Sequence, residues 1–475
     1  MLTAKKLSFL NTYENIFFAL LGGIIFLFSK NYGMFWDNVL FGSKMGNQLY
    51  YNSIFNWTIP DNFDPGHPPF LGFLLAIFWK VFGYKLWVSH LLMLPFVIGF
   101  FYQLYNFIGS YFDKKQRLLL GFLIILADPT LATSFVLVNP EIIILFFFFL
   151  SINGILKQKI FFKFIGLFFL SIISYRSMLL FAGLFLFDIL NNLYINKQKF
   201  KLFFKVKFLV FYFLASLPAF IFIVWRLATK GWLQTHPDSP WAGLWQFASP
   251  QIFFKNCVIL VWRYLDFGRV FIFLFLLISI IIYRKKIFNS TKNKQLLLLS
   301  ISSVIFIIVI SLFATNTFGH RYFIVSYIGF TLLSVLVVFE FYKSKKIIFT
   351  LLFLGLLTGN LWIYPKDVSQ GWDATLAHIP YHSLRIDAIN YLDDRHIKIK
   401  NVATFFPNYN TLNTINLSGD TRSFSKFNGK NEYVFYATVY NISDEDLRKL
   451  NKNYIILKQF SNLNINITIY KLNKP

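Results

Sequence analysis

The sequence predicts an α-helical polytopic membrane protein with a small C-terminal α/β domain on the outer side. Three observations lead there. Of 475 residues, 56% are apolar and only 14% charged, against about a quarter charged in soluble domains. The apolar residues come in long blocks, such as NIFFALLGGIIFLFS from Asn15 and VFIFLFLLISIIIY from Val270; these read as spans of about 20 residues. Lys and Arg stand in short clusters between the blocks, where they set orientation. A nucleic-acid surface would need one contiguous basic face instead, so the formal charge of +25 does not mean nucleic-acid binding.

About eleven crossings follow, at 15–33, 86–108, 118–138, 140–156, 160–175, 177–195, 206–229, 268–283, 295–314, 322–342 and 347–364. With Lys5 and Lys6 inside, alternation gathers 21 cations on the inner side, in clusters at 114–117, 157–163, 197–207, 284–294 and 343–346. Segment 68–83 is apolar but short for a span, and counting it would invert every later loop. It therefore reads as a helix along the outer face. This parity places loop 37–67, turn 315–321 and the tail outside. Two domains result, 1–364 in the membrane and 365–475 outside it. The tail holds ten of the 21 acids, alternating stretches NVATFFP and YIILKQF, and a helix starting at Ser443 with Glu445 and Asp446 in its first turn. Cys257 is the only cysteine, which excludes an intrachain disulfide. The first span lacks a small-residue cleavage pattern and is expected to be retained.

Carboxylates near a bilayer are costly unless hydrated or paired, so the acids on the outer side are the candidates. Asp37, in GMFWDNVLFGSK, serves as a general base or as a helix cap. Asp64 and His67, in DNFDPGHPPFLG, are spaced to orient an acceptor; a capping Asp beside a bystander His is the alternative. Glu141, in VLVNPEIIIL, binds substrate hydroxyls or favours its helix start through the dipole. Arg321 with His320, in NTFGHRYFIV, and Arg176, in ISYRSML, oppose the positive-inside trend. They suit a phosphate, or snorkel to headgroups. Arg263 and Arg269 flank Asp266, which reads as a local ion pair. No cofactor is required by the sequence, and a divalent metal at Asp37, Asp64 or Glu141 is left open.

Taken together, FWDN, DPGHPPF, NPE and GHRY in this order resemble the type C membrane glycosyltransferases, in the branch of the protein O-mannosyltransferases and the aminoarabinose transferase of lipid A. The resemblance covers about 1–364. It implies that Asp37 is the catalytic base, that Asp64 and His67 belong to the acceptor site, and that Glu141 is the second acid, commonly Asp in the family. It sets Arg321 near the donor phosphate and Arg176 where many members carry Lys. Asn38 departs from the protein O-mannosyltransferases, which have a second acid there. The implied partners are a polyprenyl-phosphate-linked sugar, an acceptor lipid, glycan or protein, and membrane lipid, with no nucleic acid. The implied reaction is an inverting transfer at the outer face of a bacterial cytoplasmic membrane. A transporter or flippase of lipid-linked sugars would use the same residues for binding alone.

Overall fold

The computed structural model describes residues 12–473, apart from 201, 202, 204, 235, 243, 244, 316, 317, 366, 367 and 441. Lys5, Lys6 and Lys201 of the inner-side clusters lie outside the described residues. After α1 (Thr12–Ser29), a long loop holds a wide π-type turn at Val39–Lys44, α2 (Met45–Tyr51) and α3 (Phe70–Phe82). Then come α4 (Leu86–Ile108), α5 (Lys115–Leu126), α6 (Pro129–Val136), α7 (Pro140–Leu156), α8 (Ile160–Ile173), α9 (Tyr175–Leu190) and α10 (Val206–Lys230). The helical part closes with α11 (Pro250–Leu265), α12 (Arg269–Asn289), α13 (Thr291–Ser302), α14 (Ile305–Leu312), α15 (Ile324–Phe341) and α16 (Lys345–Thr358).

Every apolar segment expected to cross is helical. Among the described residues, five helices are long and apolar enough to span by length and composition, or seven if each of two bent pairs counts as one. Tyr13–Ser29, Pro140–Leu156 and Ile160–Ile173 are apolar but shorter, so length alone does not yield eleven. The segment expected as one span at 118–138 is instead two helices, α5 and α6, bent by 75°. Pro129 forces Asp128 into extended backbone, and the Asp128 carboxylate caps α6 by accepting from the N–H groups of Thr130 and Leu131 at 2.9 and 3.1 Å. Helix α11 was not anticipated; it meets α12 at 92°. The bend is carried by Phe267 and Gly268 at φ 50° and 81°. A Cβ on Gly268 would lie 2.2 Å from the Gly355 carbonyl oxygen, so only glycine fits there. Helices α7 and α15 are buried along nearly their whole length, in keeping with their all-round apolar sequences.

The tail is the expected α/β domain. Strands β1 (Val402–Thr404), β2 (Ser425–Lys426), β3 (Tyr433–Ala437), β4 (Tyr454–Asn462) and β5 (Ile465–Leu472) form one sheet in the order β2-β1-β3-β5-β4. β1 is parallel to β2 and β3, while β5 is antiparallel to β3 and β4. Helix α17 (Pro380–Asp394) packs on β4 and β5. After the short α18 (Leu412–Asn416), α19 (Asp444–Asn453) starts at Ser443, whose hydroxyl accepts from the Asp446 N–H at 3.1 Å. The two parts interlock. Phe35 and Leu137 join the tail's core, the Met34 N–H donates to the Ile415 carbonyl at 2.9 Å, and Trp36 Nε1 donates to the Val439 carbonyl at 3.0 Å.

Candidate active site

The chain enters the site through Trp36, held at φ 51°. A non-glycine residue in this region costs of order 1 kcal/mol or more and persists only where its surroundings hold it. Here Phe35 and the Trp36 indole, both anchored in the tail, do so. The next residue, Asp37, meets Arg321, which stands in a tight turn at His320–Phe323 leading into α15. Arg321 Nη2 donates to Asp37 Oδ2, Nη1 donates to Asp373 Oδ2 at 2.5 Å, and Nε lies 3.4 Å from Glu141 Oε1. Three carboxylates thus share one guanidinium. Glu141 lies in the first turn of α7 behind the Asn139 cap. Its Oε1 also accepts from Arg176 Nη2, and that guanidinium lies 4.7 Å from the centre of the Tyr322 ring.

All these groups line a cavity of about 660 Å³ walled by both parts of the chain. Burial pushes the Asp37 carboxyl above the usual carboxylate range; Arg321 opposes that shift, and Asp373 and Glu141 reinforce it. Glu141 Oε2 and both polar side-chain atoms of Asn38 are buried without a hydrogen-bond partner, and both residues line the cavity. Such orphaned groups call for an explanation. His67 lines the cavity as well, its Nδ1 accepting from the Tyr175 N–H at 3.3 Å. Burial lowers its pKa to about 3, so it enters as a neutral ring.

Two sequence readings need correction. Asp64 is not in the cavity lining. Its fully buried carboxylate accepts from the Gly66 N–H at 2.8 Å and from Arg226 Nη2 at 3.1 Å, so it builds the loop rather than facing an acceptor. The ion pair expected among Arg263, Asp266 and Arg269 does not form either: Arg269 meets only the Asp266 backbone, Nη1 donating to its carbonyl at 3.3 Å, and the three side chains take other partners. Arg269 grips Asp128 through Nε and Nη2 at 2.7 and 2.9 Å. Asp266 Oδ2 lies 2.7 Å from His320 Nε2 and accepts from the Tyr364 hydroxyl. Arg263 lines the cavity and donates through Nε to the Phe318 carbonyl at 2.9 Å. Among the described residues no carboxylate lies within ion-pair distance of it.

Asp373 is therefore a cavity residue that the sequence reading did not name, and Arg263 and Asn38 are cavity residues that it read only as part of an ion pair and as a departure from the family pattern. Among the described residues, no group of three His, Cys, Asp or Glu could hold a metal ion; Asp64, once considered a metal ligand, is committed to Arg226.

The apolar helices are those of an integral, multi-pass membrane protein, the start of the tail lines its carboxylate–arginine cavity, and the whole has the type C glycosyltransferase fold. Two solved structures of ArnT from Cupriavidus metallidurans carry this fold across the chain. The one bound to undecaprenyl phosphate has TM-score 0.52 and 8% identity, covering 97% of this chain and 98% of the other. The apo structure has TM-score 0.52 and 10% identity, covering 96% and 97%. No protein-family model matches the sequence, nor does any curated protein. The likeness is one of fold, and it agrees with the resemblance drawn from the motifs.

Proposed function

We propose that this protein transfers a sugar from a polyprenyl-phosphate donor to an acceptor hydroxyl at the outer face of a bacterial cytoplasmic membrane. The observation that carries the reading is the contact between Asp37 and Arg321 on the wall of a large cavity. The similar ArnT structure bound to undecaprenyl phosphate supports the donor class. In the reaction, Asp37 takes the proton of the acceptor hydroxyl as its oxygen bonds to the anomeric carbon. The carbon–oxygen bond to phosphate breaks on the opposite face, its electron pair passes to the phosphate, and the sugar is inverted. Arg263, which meets no carboxylate among the described residues, is the first cation for that phosphate. Arg176 and Arg321, each held by carboxylates, stand beside it, and His320, kept neutral by burial, offers a ring nitrogen rather than a charge. Glu141 Oε2, Asn38 and His67 face the sugar or the acceptor.

The test compares purified wild type and Asp37→Asn for release of polyprenyl phosphate from a labelled lipid-linked sugar. An amide cannot take the proton, so turnover should fall by at least about 100-fold. Turnover near the wild-type rate would remove Asp37 from the base role.

A further inference from the structure

We propose that Asp373, supplied by the C-terminal domain, is a positioning residue that competes with Asp37 for Arg321 and so keeps Asp37 basic enough to accept a proton. The inference rests on Asp37 being the base.

An arginine bound to a single carboxylate makes that carboxylate a poor base, because the pair favours the ionised form. Arg321 is not so bound. Its two terminal nitrogens go to different carboxylates, Nη2 to Asp37 and Nη1 to Asp373, the latter at 2.5 Å, while Nε faces Glu141. Neither aspartate can form the two-pronged contact that Arg269 makes with Asp128. The charged groups around Asp37 are Arg321 from the turn before α15, Glu141 from α7, and Asp373 from the tail. Both carboxylates push the Asp37 carboxyl upward, and Asp373 does so more strongly than Glu141.

Asp373 is also built into place. It sits in a short turn at Trp372–Ala374, with Trp372 buried in the tail's core. The Ala374 carbonyl accepts from Thr130 Oγ1 at 3.1 Å, and Thr130 in turn accepts from Arg269. Ahead of it, Gly371 leaves room that a side chain would fill: a Cβ there would come within 3.3 Å of His320 Nδ1 and 3.6 Å of Asp373 Oδ1.

The experiment is the pH dependence of kcat in the full-length protein. Ionised Asp37 is the active form, so activity falls as pH drops through its pKa. In Asp373→Asn, Arg321 turns to Asp37 and the acid limb should move to lower pH by about one unit, with a lower plateau from the weaker base. Asp373→Glu keeps the charge and should leave the limb near its wild-type position. Asp373→Ser carries the same expectation as Asp373→Asn if the latter does not fold. An acid limb unmoved in the Asn and Ser variants, with Asp37→Asn inactive, overturns this inference alone. An active Asp37→Asn overturns the base assignment beneath it.

Discussion

At Arg263 the decisive fact is what it lacks. The other arginines about the cavity are bound to carboxylates, whereas its terminal nitrogens meet, among the described residues, only His320, with Nη1 3.4 Å from Nε2. Replacing it with Gln should raise the KM for the lipid-linked donor by about 10- to 100-fold, the range of a hydrogen bond to a charged group; an unchanged KM would take the phosphate away from it. Arg226 is the converse case. Both it and Asp64 are buried, so Arg226→Ala leaves that carboxylate only the Gly66 N–H and the more distant Lys230 Nζ at 3.9 Å and should cost about 3 kcal/mol of stability, read as a lower thermal midpoint in detergent. Asp37 and Arg321 could be singled out from the sequence because an acid and a cation at the outer ends of spans stand against the local trend. Asp373 could not: it is one of ten acids in a polar tail, where another acid carries no signal. Arg263 was hidden by proximity, since a partner three residues away looks sufficient until the Asp266 carboxylate is found on His320 and Tyr364 instead. Asp64 was hidden by distance, its partner lying 162 residues along the chain.

Among the elements, periodicity and apolar length located the helices well and their breaks poorly. A bend is decided by one or two residues, and Gly268 resembles any glycine until the Gly355 backbone is found against it. Gly268→Ala should therefore destabilise the α11–α12 corner by at least about 1–3 kcal/mol, visible as a lower midpoint and faster proteolysis in the 250–289 region. The segment ahead of Asp37 is a second sensitive element. Phe35 is stacked on His378 at 4.7 Å and packed against Tyr381, so it belongs to the tail in all but sequence. Phe35→Ala should cost about 3 kcal/mol of stability and reduce kcat, while Phe35→Leu should restore most of both. Equal kcat in the two variants would uncouple this anchor from the chemistry.

For the whole molecule, the charge pattern predicts an orientation where helix length predicts none. A reporter fused after residue 365 should report the non-cytoplasmic side; a cytoplasmic signal would mean that 68–83 crosses. The sequence reading separated the tail from the membrane part by composition, and that hid their cooperation, because contacts such as Trp36 to Val439 join residues 403 positions apart. This bears on biogenesis. Asp37 is translated well before Arg321 and Asp373, and before the tail residues that anchor Phe35 and Trp36. A chain whose bundle helices are in place but whose tail is unfolded lacks Asp373 and the anchors of Phe35 and Trp36, so on the proposed function no lipid-linked sugar is consumed until residues 365–475 have folded.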